Sequence, residues 1–441
     1  MGSGTPRVVV LADSDSRWKW AASVARRIAP EHAIDARFLA VATTPTERQI
    51  AEVGIVPDTT AVVSCVELLE DPAVHTADLV VLGTTGGTVL SLIHSLGVAW
   101  EGSPHRPLLV TGYVGVVYEN LVDGLLLRVG SDLILANCAH DAERFRSVYR
   151  SIGADPEDIV EAGLPFLGGD PYDPPAVFGA HGLDRQPAGA RPFTVTFAVQ
   201  PSVPGTRAAR FGMLEKLARH ARLHPDREVL IKLRNRPGEA VTHTERHSYQ
   251  SLYEELPNPP ANLTLVYGDM GEVLDRTDLL VTVSSTAAME SIHRGIPTAI
   301  LTDYGVREAH GNHYFIHSGL LASWAELDKG LIPAVDPGWA ASRGVGHQDP
   351  YAAARARIAE LRAAAPGTRV PTHPYYTPRS AADYLETLLS RRGLGLDGKA
   401  LPPSHDRAPT AVRRLIRRGA GGLYQVGRKR VAPVIRRLAK G

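Results

Sequence analysis

Residues 278–303 read DLLVTVSSTAAMESIHRGIPTAILTD. Leu279 to Val283 is a short apolar run rich in β-branched side chains, the pattern of a strand buried on both faces of a parallel sheet. Ser284, Ser285 and Thr286 follow at its carboxyl end. Ala287 to Arg294 has the length of a two-turn helix, stopped by Gly295 and by Ile296-Pro297. Thr298 to Thr302 is the next strand. A strand–helix–strand unit of this kind predicts an α/β protein with parallel sheets.

The turn after such a strand places hydroxyls and unpaired N–H groups at a helix start, where an anion, above all a phosphate, is favoured. Ser285 or Thr286 serving only as a helix cap is the alternative. Glu290 is five and four residues beyond them, not at the three-residue spacing of a capping box. Its carboxylate is therefore free in this reading to accept hydrogen bonds from a sugar or ribose hydroxyl.

Outward from this stretch the same alternation recurs. Upstream, Arg7 to Ala12 is a strand running into Asp13-Ser14-Asp15-Ser16 and a helix from Trp18 to Ala29. An acid at a strand end can take a hydroxyl proton, so Asp13 and Asp15 are candidate bases, with Ser14 and Ser16 as contacts. The rival role is a cap, and Asp13-x-Asp15 also matches a metal-holding pair, although a metal is not expected at the first strand. Ala77 to Leu82 is another strand, followed by Gly83-Thr84-Thr85-Gly86-Gly87-Thr88. This turn has neither Walker nor dinucleotide spacing, so Gly86 and Gly87 serve a tight turn or touch a ligand. Further strands are expected at 107–111, 131–136 and 159–162, and His140 follows one of them.

Gly168 to Arg191 is rich in Gly, Pro and Asp and reads as a linker. A second domain opens at Phe193. Its strand Glu228 to Leu233 runs into Lys232-Leu233-Arg234-Asn235-Arg236, basic groups suited to a diphosphate. The loop 304–319, YGVREAHGNHYFIHSG, brings Asn312 and His313 among four His and Asn residues; a polar loop facing a donor is favoured over a metal site. The predicted organisation is an N-terminal Rossmann-like domain over 1–167, a linker over 168–192, a second such domain over 193–400 and a tail over 401–441.

The whole chain has 441 residues, enough for two domains, and a net charge of +1. Residues 407–441 carry nine Arg, two Lys and no acid, hence +11, which leaves −10 on the rest. Basic and apolar residues interleave in this tail, as in segments that lie on an anionic membrane surface. A solvated tail and a nucleic-acid contact are the alternatives, the latter without a supporting motif. Two distant cysteines argue against a disulfide scaffold or zinc site, no apolar run approaches the roughly 20 residues of a span, and residues 1–30 lack a leader pattern. A cytoplasmic location, peripheral to the inner membrane face, is expected.

Two α/β halves, a proline-rich linker and a late strand–SST–helix–Glu unit resemble GT-B glycosyltransferases. Lys232 to Arg236 followed by Ser284-Ser285-Thr286 is similar to bacterial capsule and wall-polymer transferases: polysialyltransferases, Kdo transferases and CDP-glycerol glycerophosphotransferases. The His-Pro pair usual in those enzymes is absent here. LADSDSRWKWA, IKLRNRPGE and VSSTAAME resemble a group of glycosyltransferases from actinobacteria. The resemblance implies two Rossmann-like domains facing a cleft and an inverting, metal-independent transfer from a nucleotide-sugar to a cell-envelope or capsular glycan, with no other cofactor. Ser284, Ser285, Thr286, Lys232, Arg234 and Glu290 would hold the donor, and Asp13 or Asp15 would take the acceptor proton. A nucleotide-sugar 2-epimerase of the same fold and a non-catalytic glycan-assembly protein are the competing expectations.

Overall fold

A computed structural model describes residues 5–103, 106–116, 121–174, 191–201, 203–234, 247–363 and 372–402. The basic tail 407–441 and the positions Asn235 and Arg236 lie outside the described residues. Residues 1–399 form one compact unit.

The unit holds two parallel sheets, as expected from the resemblance to GT-B proteins. The first comprises β1 (Arg7–Ala12), β2 (Ala33–Leu39), β3 (Thr59–Val63), β4 (Leu79–Gly83), β5 (Leu108–Gly112), β6 (Leu133–Ala136) and β7 (Ile159–Glu161), in the order β3-β2-β1-β4-β5-β6-β7. The second comprises β8 (Phe193–Ala198), β9 (Arg227–Lys232), β10 (Leu263–Val266), β11 (Leu279–Thr282), β12 (Thr298–Leu301) and β13 (Leu321–Ala322), in the order β10-β9-β8-β11-β12-β13. Strand order reverses between β1 and β4 in the first sheet and between β8 and β11 in the second. At such a point the two flanking connections diverge to opposite faces and leave a crevice at the carboxyl ends of the strands.

Side chains alternate across β1. Val8 and Val10 join Trp18 and Trp20 of the helix Asp15–Ile28 on one face, while Val9 and Leu11 join Val89, Leu92 and Leu96 of the helix Gly86–Ala99 on the other. Both faces are buried, which is why the strand reads as a continuous apolar run.

The C-terminal boundary differs from expectation. The chain beyond residue 350 does not stay with the second sheet, as 193–400 implied. Tyr351, Ala354 and Ile358, at and within the helix Ala352–Ala363, pack on the Val8–Val10 face. Leu385 and Leu389 of the helix Pro378–Ser390 pack on the Val9–Leu11 face. Each face of the first sheet extends beyond the helices its own segment supplies, and the apolar stripes of the late helices cover the remainder. Each buried leucine contributes about 1.5–3 kcal/mol.

Asp278, at the foot of β11, clamps the end of the linker. It is fully buried and takes two bonds from Arg191 at 2.6 and 2.7 Å, one from the Thr194 amide at 2.8 Å and one from the Tyr172 hydroxyl at 3.2 Å. No helix among the described residues is long and apolar enough to cross a membrane.

Candidate functional site

The reversal point of each sheet is marked by a side-chain bridge. In the first sheet the Asp13 carboxylate, just past β1, accepts from the Thr85 amide, just past β4, at 3.1 Å. In the second the Gln200 side chain, past β8, accepts from the Ser284 amide at 2.7 Å and donates to the Ser284 hydroxyl at 2.8 Å, past β11. The sequence-predicted residues cluster around these two bridges, and several have structural duties.

Ser284 is buried. Its hydroxyl accepts from Gln200 and donates to the His310 carbonyl, so it braces the turn rather than facing a phosphate. Ser285 accepts from the Ala287 amide at 3.3 Å, the capping role weighed against ligand binding. Thr286 makes no side-chain cap bond, and its amide has no acceptor among the described residues. It faces the first domain: a Cβ placed on Gly115 would stand 3.1 Å from the Thr286 Oγ1.

Glu290 is 8% exposed and makes no side-chain hydrogen bond among the described residues. Burial pushes its carboxyl up to about 7, with Asp269 adding to the shift and Lys19, Arg294 and Lys232 opposing it. Lys232 is likewise buried, with Nζ donating to the Leu233 carbonyl at 2.7 Å; burial lowers its pKa, opposed by Asp269. Arg234 is exposed at the same strand end. Lys19, on the helix after β1, reaches Asp269 of the second domain at 3.4 Å. Asp269 stays below the usual carboxylate range although burial pulls the other way, because Lys19, the Gly271 amide and Lys232 outweigh it. Glu290, Lys232, Asp269 and Lys19 thus form one charged cluster to which both domains contribute.

Of the two acids after β1, Asp13 is committed. Its oxygens take Arg17 at 2.6 Å and the Thr85 amide, it is 5% exposed, and its carbonyl accepts from Thr43. Those bonds give Asp13 a structural duty and leave Asp15 the more open of the two acids. Asp15 is half-buried, and among the described residues its carboxylate is bonded only to the Ser16 hydroxyl, at 3.2 Å. Ser14 is buried and accepts from Arg17 at 3.3 Å.

Asn312 is engaged in the same way as Asp13. It is fully buried, accepting from the Arg307 amide and donating to the Leu301 and Gly305 carbonyls, so it shapes the loop after β12 instead of touching a donor. His313 is half-buried beside it. The loop does border a cavity of about 500 Å³, lined by Pro204, Thr206, Asp303, Tyr304, Arg307 and His310 among others. His140 is exposed on the first turn of the helix Ala139–Ile152, where partial burial, Arg343 and Arg144 lower its pKa. Gly86 and Gly87 open the helix Gly86–Ala99 and sit against Leu127 and Arg128, and against Leu388 and Arg392, respectively.

A family model described as "Putative glycosyltransferase (DUF6716)" matches residues 8–361, from β1 through the first returning helix. The chain belongs to that family. Within the family match lie both reversal points and the whole charged cluster. No curated protein matches the sequence. Among solved structures the chain is similar to a "putative UDP-N-acetylglucosamine 2-epimerase" from Listeria monocytogenes, at 14% identity and a TM-score of 0.49, over 81% of this chain and 95% of that one. It is similar to S. aureus MnaA in complex with UDP, at 12% identity and 0.48, over 81% and 95%. It is also similar to Arabidopsis thaliana UGT89C1 in complex with UDP-L-rhamnose, at 10% identity and 0.46, over 88% and 100%.

Three residues of the site escaped sequence reasoning. Gln200 stands at the end of β8 just as Asp13 stands at the end of β1, a signal available once the sheet order is known. Lys19 lies one turn after Asp15 and shares its helix face. Asp269 reads only as the cap of the helix Met270–Leu274, whose Gly271 amide it does bind.

Proposed function

We propose that the protein is an inverting, metal-independent glycosyltransferase that moves a sugar from a nucleotide-sugar to a cell-envelope glycan. The observation that carries this reading is Glu290: a buried carboxyl in the charged cluster to which both domains contribute, with no side-chain hydrogen bond among the described residues and a pKa raised to about 7. Burying such a group without a partner costs stability, and clefts where that cost is kept are candidate ligand sites. A ribose or sugar hydroxyl of the donor supplies the missing partner.

In this reading the donor phosphates lie along the Ser285–Thr286 turn, taking the open Thr286 amide. Lys232 and Arg234 stabilise the charge that grows on the leaving group. Lys232, already short of solvent, acts there at low local dielectric. Asp15 comes from the opposite domain and takes the acceptor proton, so attack arrives on the face of the sugar away from the diphosphate and inverts the anomeric centre. Protein cations in place of a metal are consistent with the commitment of Asp13 to Arg17. The basic composition of residues 407–441 supports an acceptor near an anionic membrane face.

The test is calorimetric titration of UDP, and of CMP, CDP, GDP and TDP, into wild type and Glu290→Gln. Binding of one nucleotide diphosphate, weakened about tenfold or more in the variant, is expected from loss of a hydrogen bond to a charged group. No binding of any nucleotide would remove the reading. Incubation with the nucleotide-sugar alone, followed by product analysis, separates transfer from epimerisation, since only an epimerase yields an isomer without acceptor.

A further inference from the structure

The first domain carries a second charged cluster, apart from the donor residues. The helix Gly86–Ala99 is 14 residues long, and its cap residue Thr85 makes no side-chain bond to the helix amides. The Thr85 hydroxyl pairs instead with Thr88 at 3.0 Å. The amides of Gly86 and Gly87 have no acceptor among the described residues. Two guanidinium groups stand near these glycines: Arg128 Nη1 lies 3.6 Å from where a Cβ on Gly86 would stand, beyond the Leu127 side chain at 2.8 Å, and Arg392 Nη2 lies 3.3 Å from the same point on Gly87, as does Leu388.

Neither arginine has a carboxylate partner among the described residues. Arg128, 7% exposed, donates from Nε and Nη1 to the Gly112 and Gly124 carbonyls and stacks 4.1 Å from the centre of the Tyr113 ring. Arg392 donates to the Thr88 hydroxyl and the Leu388 carbonyl. Burial lowers the pKa of both. The acid within electrostatic reach of Arg392 is Asp13, already taken by Arg17 at 2.6 Å. Cys65, also near Arg392, is pushed up to about 11 by burial and stays neutral. Arg17, Arg128 and Arg392 thus gather near Asp13 at the carboxyl end of the first sheet. Carbonyls and a hydroxyl satisfy part of their hydrogen bonding but none of the excess charge.

We propose that Arg128, Arg392 and the amides of Gly86 and Gly87 bind an oxyanion, a phosphate or carboxylate carried by the acceptor. Planar guanidinium groups and open helix-start amides both match an oxyanion's several lone pairs. The position, beside the Asp13–Asp15 turn and across from the donor residues, suits the acceptor side. The proposal therefore rests on the transferase reading of the cleft and narrows it to acidic acceptors.

The test is titration of inorganic phosphate into the full-length protein saturated with UDP, which keeps the donor site filled. Wild type is expected to bind phosphate. Arg392→Met is expected to weaken it about tenfold or more. Gly87→Ala, which keeps every charge but places a methyl group at the approach, is expected to do the same with an unchanged melting temperature. UDP affinity is expected to hold in both variants. Competition by acetate assigns the group as carboxylate, and its failure assigns phosphate. Equal phosphate affinity in all three proteins, phosphate binding that UDP abolishes, or no phosphate binding by wild type would each overturn the proposal. Phosphate binding lost in Arg392→Met, in a protein that does not bind UDP, supports this site and counts against the donor reading alone.

Discussion

At the residue scale, Glu290 and the two acids after β1 separate function from support. The folded Glu290 keeps its proton up to about pH 7, whereas an unfolded glutamate loses it near the ordinary 4.5. Between those values the native state binds more protons, so stability falls as pH rises through that window. Glu290→Gln removes the ionisation. The variant is expected to be more stable than wild type by about 1–3 kcal/mol at pH 8 and no more stable at pH 4, measured by urea unfolding. UDP affinity of wild type is expected to rise with pH through about 7, as the carboxylate becomes the better acceptor, and to be flat in the variant. Asp15→Asn is expected to lower kcat by about 10²–10⁴-fold with UDP affinity intact. Asp13→Asn is expected to show its effect first as lowered stability, because Arg17 and the Thr85 amide lose their partner. A reversal of those two phenotypes would exchange the roles assigned to them.

At the element scale, the strands were legible because burial on both faces writes continuous apolar runs such as RVVVLA and DLLVTV into the sequence. So was the turn after β11. The duties of individual hydroxyls were not, since they depend on partners far along the chain: Ser284 on Gln200 and His310, Asn312 on Leu301 and Gly305. The destination of the helix Pro378–Ser390 was equally hidden, because its apolar stripe says that it packs but not on which sheet. Leu385→Ala is expected to cost about 2–5 kcal/mol, detected by denaturant melts. Asp278→Ala should cost about 1–3 kcal/mol, as it leaves the buried Thr194 amide without its acceptor, while Arg191, its side chain 39% exposed, turns to solvent. A loss below 1 kcal/mol would mean that this clamp is not needed to seat the linker.

At the scale of the whole molecule, the two domains meet through an apolar cluster in which Val116 and Leu164 join Met289, Phe315 and Trp339, and also through Lys19 with Asp269 and Gly115 with Thr286. The Lys19–Asp269 pair is 3.4 Å long and about 40% exposed on each side, so it contributes little stability. Gly115→Val places two methyl groups where Thr286 now approaches. The expected outcome is a protein of unchanged melting temperature whose kcat/KM falls by about 10²-fold, because a misplacement of about 1 Å between reacting groups has that effect. Normal kcat/KM in this variant would show that close approach of the two sheets at this point is not required.

The return of the helices Ala352–Ala363 and Pro378–Ser390 to the first sheet makes the second sheet an insertion within the first domain's chain. During synthesis all seven strands of the first sheet emerge by Glu161, yet the helices that complete the cover of its two faces begin 191 and 217 residues later. A ribosome-stalled chain ending near residue 340 should therefore be protease-sensitive around Val8–Leu11 and bound by chaperones, while one extended past residue 400 should resist.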